Sequence, residues 1–334
     1  MDAGSYSDSG SVRRAGGGPR VVVGVDGSPG SRAALVHAFT TSAQRGAELE
    51  VVSTYPVNLV WTGGSPLGVP DTEAIRADTE SRAGNLVDDV RRELSTSGIP
   101  GVDDVAVQLV VSEGHPVPEL LKHSEGADLL VVGSRGRGAM RSALMGSVAL
   151  HCTTHARCPV VVVHPVSDVT GPARVVVGVD GSTESRAALV AALQEARRTG
   201  AEVEVVASYF PADSWTDATL VLVQSVEAIR ADLQRRTEDL VGDVLRDQAT
   251  IGGAPQVRTG IHEGPATQVL LQRARGAQLL VVGSRGRSGI RGLLLGSVAL
   301  HCAMHAPCPV MLVHARPTGS TQGNTSSEPA MAEL

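Results

Sequence analysis

The chain has 334 residues, a formal net charge of −6 and only 2% aromatic residues. This length predicts two domains of ordinary size, and the scarcity of aromatic rings and of net positive charge disfavours a nucleic-acid partner. No window approaches the roughly 20 apolar residues that a membrane span needs, so we expect no membrane partner and a cytoplasmic location.

The predicted elements of the first half alternate between strands and helices. After a Ser- and Gly-rich stretch that predicts a disordered tail over 1–19, "RVVVGV" is typical of a strand buried on both faces, and "SRAALVHAFTTSAQRG" has helical periodicity. Strand "ELEVVSTY", a long loop and a helix starting with "EAIRAD" follow. The half ends with "VAVQLVV", "PVPELLKHSEG", "DLLVVGS", "SVALHCTTHA" and "CPVVVVH", which alternate as strand and helix.

The second half repeats this order. "RVVVGVDGSPGSRAAL", from Arg20, matches "RVVVGVDGSTESRAAL", from Arg174. A repeat this long is a complete domain rather than a solenoid unit. We therefore predict domains over 20–164 and 174–315, a linker over 165–173 and a second disordered tail over 316–334. Each domain should be α/β, with an open five-stranded parallel sheet, helices on both faces and ligands beyond the carboxyl ends of the strands.

A glycine motif follows the fourth strand of each copy. Gly133, Gly136 and the pair Gly146-Ser147 recur as Gly283, Gly286 and the pair Gly296-Ser297. Glycines beside a helix N-terminus suit a phosphate group. In a single copy, turn glycines followed by Ser147 as an ordinary N-cap explain the pattern equally well.

Arginines within the motif favour an anionic ligand. They are Arg135, Arg137 and Arg141 in the first copy and Arg285, Arg287 and Arg291 in the second. Neither a Walker A lysine nor the glycine spacing of a Rossmann fingerprint is present at these sites.

The spacing G-x2-G-x9-G-[ST], together with "VGVDGS" and "CPVVVV", resembles the ATP-binding universal stress proteins in both halves, as tandem members common in actinobacteria. The resemblance implies two Rossmann-like domains of the adenine nucleotide alpha hydrolase-like class, each binding ATP, with or without Mg²⁺. Together with the loop arginines, it predicts nucleotide contacts at Asp26, Thr54, Gly133, Arg135, Gly136, Gly146, Ser147, Asp180, Ser208, Gly283, Arg285, Gly286, Gly296 and Ser297.

Two of these assignments carry alternatives. Asp26 and Asp180 correspond to the family's nucleotide-site aspartate and could hold Mg²⁺ jointly with phosphates, or could simply cap the following turn. Thr54 and Ser208 stand where the family commonly has a hydrophobic residue that contacts adenine. Backbone groups would therefore have to recognise the edge of the base.

Other features have structural explanations. The pairs His151-Cys152 and His301-Cys302 could be read as parts of zinc sites, but buried packing of the cysteines explains them better. Trp61 and Trp215 are expected to anchor the long loop of each half. Prolines beside His115 and His262 fit the first turn of a helix.

The last strand of each half would form an exposed sheet edge, and in this family it commonly pairs two domains. We therefore expect intramolecular pairing of the two halves, with further association into a homodimer as an option, and an unknown protein partner. The predicted function is a nucleotide-dependent stress-response regulator. The alternatives are a slow Mg-dependent ATPase and a nucleotide-independent interaction module.

Overall fold

A computed structural model describes residues 18–55, 61–62, 65–66, 71–137, 145–165, 173–210, 225–249, 253–287 and 294–315. The first half contains, in chain order, β1 (Arg20–Gly24), α1 (Pro29–Arg45), β2 (Glu48–Tyr55), β3 (Trp61–Thr62), β4 (Ser65–Pro66), α2 (Thr72–Thr96), β5 (Val107–Glu113), α3 (Pro116–Ser124), β6 (Leu129–Gly133), α4 (Ser147–His155) and β7 (Val160–Val163). The second half contains β8 (Arg174–Gly178), α5 (Thr183–Thr199), β9 (Glu202–Tyr209), α6 (Val226–Asp247), β10 (Val257–Glu263), α7 (Ala266–Arg273), β11 (Leu279–Gly283), α8 (Ser297–His305) and β12 (Val310–Val313).

The main strands form one ten-stranded sheet in the order β10-β9-β8-β11-β12-β7-β6-β1-β2-β5. Within the five strands that each half contributes to this sheet, all pairings are parallel, which confirms the predicted α/β class with two tandem five-stranded sheets. The halves join through antiparallel pairing of β7 with β12, in which Val162 lies opposite Val310. The strands of the two halves therefore run in opposite directions, and their carboxyl ends lie at opposite ends of the strands in the sheet.

Helices cover both faces of this sheet. Val21 and Val23 of β1 pack in the core under α1 and α2, whereas Val22 between them packs in the core under α3 and α4. All three valines are fully buried, which explains why the strand is a continuous apolar run rather than an alternating one. The second half repeats the arrangement with α5 and α6 on the first face and α7 and α8 on the other.

A buried ion pair also connects the halves. Arg45, at the end of α1, contacts Glu195 of α5, and the two side chains are only 9% and 10% exposed. Arg198 approaches the same carboxylate at 2.8 Å. Together with the β7–β12 ladder, this pair makes the two halves one packed unit, as the expected intramolecular pairing requires.

The cysteine–histidine pattern has a packing role in the structure. The four cysteines are free and buried, whereas His151 and His155 are exposed and place Nδ1 at 2.7 and 3.0 Å from helix carbonyl oxygens. Across the described ranges, no group of three or more His, Cys, Asp or Glu residues is arranged to hold a metal ion. In the same ranges, no helix is both long and apolar enough to span a bilayer.

Candidate functional site

The loop between β6 and α4 spans residues 134–146 and is closed at its base by two backbone hydrogen bonds. The Ser134 amide donates to the Val163 carbonyl at 2.7 Å, and the Gly146 amide donates to the Ser134 carbonyl at 2.8 Å. Residues 138–144, which include the predicted Arg141, lie outside the described part of the chain. The base of the loop is thus tied to the end of β7, and α4 starts directly beside the carboxyl end of β6.

Helix α4 begins without a side-chain cap. Its N-cap residue is Gly146, with φ −73° and ψ 151°, and no side chain accepts a hydrogen bond from the first turn. The alternative in which Ser147 is the N-cap is therefore wrong, because Ser147 is already the first helical residue. The unpaired amides of this turn and the helix dipole favour an anion.

The motif glycines have different structural reasons. None of Gly133, Gly136 and Gly146 has a positive φ angle. A Cβ atom added at Gly133 would lie 2.6 Å from the backbone of Gly30, and one at Gly136 would lie 2.6 Å from Asp26 Oδ2. At Gly146 the nearest atom is 3.6 Å away. The first two glycines therefore allow protein segments to pack closely, whereas a Cβ at the third would make only ordinary van der Waals contacts.

Asp26 holds the loop in place. Its Oδ1 accepts the Ser28 amide at 2.9 Å and its Oδ2 accepts the Arg137 amide at 2.8 Å. Burial alone would raise the pKa of Asp26, but hydrogen bonds from Ser28 and Arg137 outweigh it and lower the pKa. Asp26 therefore does cap the following turn, as one alternative proposed, and it also fastens the β6–α4 loop.

The second half reproduces this arrangement. Asp180 accepts the amides of Ser182 and Arg287 at 2.9 and 2.8 Å. Its pKa is lowered for the same reason, since hydrogen bonds overcome the effect of burial. Helix α8 likewise begins after an uncapped Gly296. The β11–α8 loop, residues 284–296, includes 288–293, which lie outside the described ranges together with the predicted Arg291.

A cavity of about 480 Å³ opens at this edge of the first half. All seven first-half residues assigned to the nucleotide line it, namely Asp26, Thr54, Gly133, Arg135, Gly136, Gly146 and Ser147. Val25, Val52, Pro116 and Leu120 also line it. The cavity therefore combines polar backbone and an arginine with an apolar wall, which is the chemical combination that an amphipathic small ligand requires.

A second cavity, of about 760 Å³, adjoins the first. It shares Asp26, Thr54 and Arg137 with it and extends between the end of β2 and helix α2. Asp26 thus stands at the boundary between the two cavities.

Comparison with known proteins agrees with this architecture. The universal stress protein family matches residues 19–164 and again 172–314. The chain belongs to the universal stress protein family. Universal stress protein Rv2005c of Mycobacterium tuberculosis is 35% identical over 291 residues, which cover 86% of this chain and 93% of the relative. Universal stress protein Rv2623 of the same species is 33% identical over 298 residues, 87% and 95% of the two chains.

Solved structures support the fold of this universal stress protein. The crystal structure of a universal stress protein from Archaeoglobus fulgidus superposes with a TM-score of 0.60 at 20% identity, covering 89% of this chain and 98% of that one. At this level of identity the likeness concerns the fold only. The repeated family match also agrees with a tandem duplication.

The remaining assigned residues occupy the corresponding places. Ser208, at the end of β9, pairs with His262 in the parallel ladder, and Gly283 packs against Glu184 as Gly133 packs against Gly30. Trp61 lies in the β3–β4 hairpin, which the sequence pattern missed, but its side chain and all of Trp215 are outside the described residues. His115 is the N-cap of α3 and accepts the Val117 amide at 3.3 Å.

The sequence pattern gave one residue of the site a different role and missed others. Arg137, singled out for its guanidinium group, donates its backbone amide to Asp26, whereas Leu120 and Pro116 of α3, which belong to the apolar wall, were not assigned to the site. The Gly-x-Pro before α3 signalled the helix start, but no local pattern indicates which of its side chains face the cavity.

Proposed function

We propose that each domain of this universal stress protein binds ATP and that the chain acts as a nucleotide-dependent regulator of a stress response. The observation that supports the proposal best is the uncapped first turn of α4, which opens into a cavity that also contains Arg135. A helix N-terminus with free amides and a nearby guanidinium group suits a phosphate chain.

The shape of the cavity supports a nucleotide over a simple anion. Its volume of about 480 Å³ exceeds what a phosphate ion occupies and lies within the usual range for small-ligand pockets. The wall formed by Val25, Val52 and Leu120 suits a flat apolar ring. Thr54 lies beside that wall, so its polar groups would take the place of the hydrophobic contact common in the family.

The residues present also fit ATP on steric grounds. Gly146 presents bare backbone where an added Cβ would already touch the loop at 3.6 Å, and Ser147 lies in the uncapped first turn of α4. Gly296 and Ser297 have the corresponding places at α8. Mg²⁺, when bound, would neutralise phosphate charge. Asp26 and Asp180 would hold it through Oδ2, which accepts one amide, from Arg137 in the first domain and from Arg287 in the second, and keeps a lone pair.

Binding, rather than turnover, is the activity that we propose. A general base has to accept a proton near neutral pH, whereas hydrogen bonds keep the pKa of Asp26 and Asp180 below the ordinary value despite burial. We further propose a cytoplasmic location and a protein partner that distinguishes the nucleotide-bound form from the free form.

The decisive experiment is chemical identification of the bound ligand followed by titration. Protein is purified and denatured, the released ligand is identified by mass spectrometry, and Mg-ATP is titrated calorimetrically into the stripped chain. We expect about two ATP per chain. The double variant Gly146→Asp/Gly296→Asp should abolish binding, because a carboxylate at each open helix start repels phosphate.

A matched control introduces the same two charges elsewhere. Gly84 and Gly242 lie in α2 and α6 with no atom within 4 Å of an added Cβ. Gly84→Asp/Gly242→Asp should bind ATP as the unaltered chain does. Folded protein that binds no ATP would refute the proposal and would favour the nucleotide-independent interaction module instead.

A further inference from the structure

The repeated stretch that follows the first strand differs between the two domains at two positions, Pro29/Thr183 and Gly30/Glu184. Gly30, in "DGSPGS", aligns with Glu184, in "DGSTES". Gly30 lies in the first turn of α1 and contacts Gly133 at the end of β6. Glu184 lies in the first turn of α5 and contacts Gly283 at the end of β11. A glycine in one domain thus corresponds to a carboxylate in the other, directly beside the proposed phosphate site.

Glu184 forms an ion pair with Arg285 of the β11–α8 loop. Its carboxylate lies 2.8 Å from Arg285 Nη2, and its side chain is only 12% exposed. Thr183 Oγ1 donates to the same carboxylate at 3.1 Å. The buried and hydrogen-bonded acid therefore holds the guanidinium group that corresponds to Arg135.

The first domain cannot form this pair. A Cβ atom at Gly30 would lie 2.3 Å from the carbonyl oxygen of Arg135, so the loop packs directly on the bare backbone. Among the described residues Arg135 has no carboxylate partner, and it lines the cavity. The arginine of the first domain is therefore available to an incoming anion, whereas that of the second is already neutralised.

Resting on the proposed function, we infer that the two ATP sites are unequal and that Glu184 makes the second site discriminate against phosphate charge. Each added phosphate of a ligand gains less from Arg285, which is paired, than from Arg135, and it also meets the negative charge of Glu184. The first domain is then the tight ATP site. The second domain accepts ligands with fewer phosphates almost as well as the first.

The test separates the two sites by mutation. Gly296→Asp leaves only the first site, and Gly146→Asp leaves only the second. Calorimetry with adenosine, AMP, ADP and ATP should give a preference for the first site that grows with phosphate number, from under about twofold for adenosine to about tenfold or more for ATP. Circular dichroism and the melting temperature of each variant verify that it is folded.

Substitution of Glu184 then tests the cause. In the Gly146→Asp background, Glu184→Gln should tighten ATP binding about tenfold and leave adenosine binding unchanged. Glu238→Gln, which removes one exposed carboxylate from α6 of the same domain, should change neither. This control distinguishes a local effect from a general change in net charge.

The possible failures are distinct. Equal ATP affinity of the two single-site variants, or no effect of Glu184→Gln on ATP, would overturn this inference and leave the proposed function intact. Absence of ATP binding in the unaltered chain would overturn the proposed function itself.

Discussion

The buried ion pair between Arg45 and Glu195 allows a quantitative prediction about the contact between the domains. Both side chains are about nine-tenths buried, so removal of one partner leaves a charge in a poorly solvated place. Loss of one member of a buried pair typically costs about 3–5 kcal/mol. The structure predicts that the two possible removals are unequal.

Removal of Glu195 is the more damaging change. Burial already lowers the pKa of Arg45, Glu195 opposes this effect, and the charge of Arg198 adds to it. Without Glu195, the Arg45 guanidinium would keep only the weaker attraction of Asp128 against burial and the repulsion of Arg198, and we expect Glu195→Met to cost about 3–5 kcal/mol. Arg45→Met leaves Glu195 paired with Arg198 at 2.8 Å, so a smaller loss, of about 1–2 kcal/mol, is expected.

Urea unfolding followed by far-ultraviolet circular dichroism measures these differences. The double variant Arg45→Met/Glu195→Met should be more stable than Glu195→Met alone, since it leaves no unpaired buried charge at this contact. Arg32→Met provides the control, because the Arg32–Glu93 pair is about half exposed and should contribute below about 1 kcal/mol. A Glu195→Met cost no larger than that of Arg32→Met would refute the reasoning.

Three further predictions concern the glycines, a histidine and the cysteines. Gly136→Ala should weaken ATP binding in calorimetry, because its Cβ would displace the Asp26 carboxylate. Gly146→Ala should leave the loop in place and destabilise α4 by about 1 kcal/mol or less. Equal effects of the two substitutions on binding and on stability would contradict this. Burial, and to a smaller extent repulsion from Arg45, lowers the pKa of His37 to about 4. The unfolded chain therefore takes up a proton at a higher pH than the folded chain does, and stability should fall as the pH drops from about 6.5 to 4. His37 keeps some accessible surface, so the loss should be below roughly 3 kcal/mol, and an unchanged pH profile of unfolding in His37→Ala would contradict this assignment. Burial raises the pKa of Cys158 to about 11 and that of the other three cysteine thiols to about 12, so a thiol reagent at pH 8 should label the chain only after unfolding; rapid labelling of native protein would refute that burial.

The fold was predictable because its signals are local and repeated. Runs such as "RVVVG" and "LLVVG" carry the strand pattern within a few residues, and the duplication shows each element twice. The pairing of β7 with β12 followed from the edge position of the last strand and the family resemblance, whereas its antiparallel direction comes from the structure. The β3–β4 hairpin was missed because its strands have two residues each, which is too short for a hydrophobic period.

The site was predictable in its membership but not in its internal contacts. The spacing of the motif brought Gly133, Gly136 and Gly146 to attention, but only the structure shows that the first packs on Gly30 and the second on Asp26. These partners lie about a hundred residues away in the chain, and no local pattern connects them. The same holds for Glu184 and Arg285, whose contact depends on how two distant loops meet.

The antiparallel junction between β7 and β12 has a consequence for how the two halves can diverge. A dimer of identical subunits must carry the same residue on both sides of its twofold axis. In this chain the sides are encoded separately, so Arg45 can stand where the other half has Thr199, and Gly30 where it has Glu184. Because both halves lie on one chain, their pairing also persists at any dilution. Duplication and fusion thus permit a division of labour that a symmetric dimer cannot acquire.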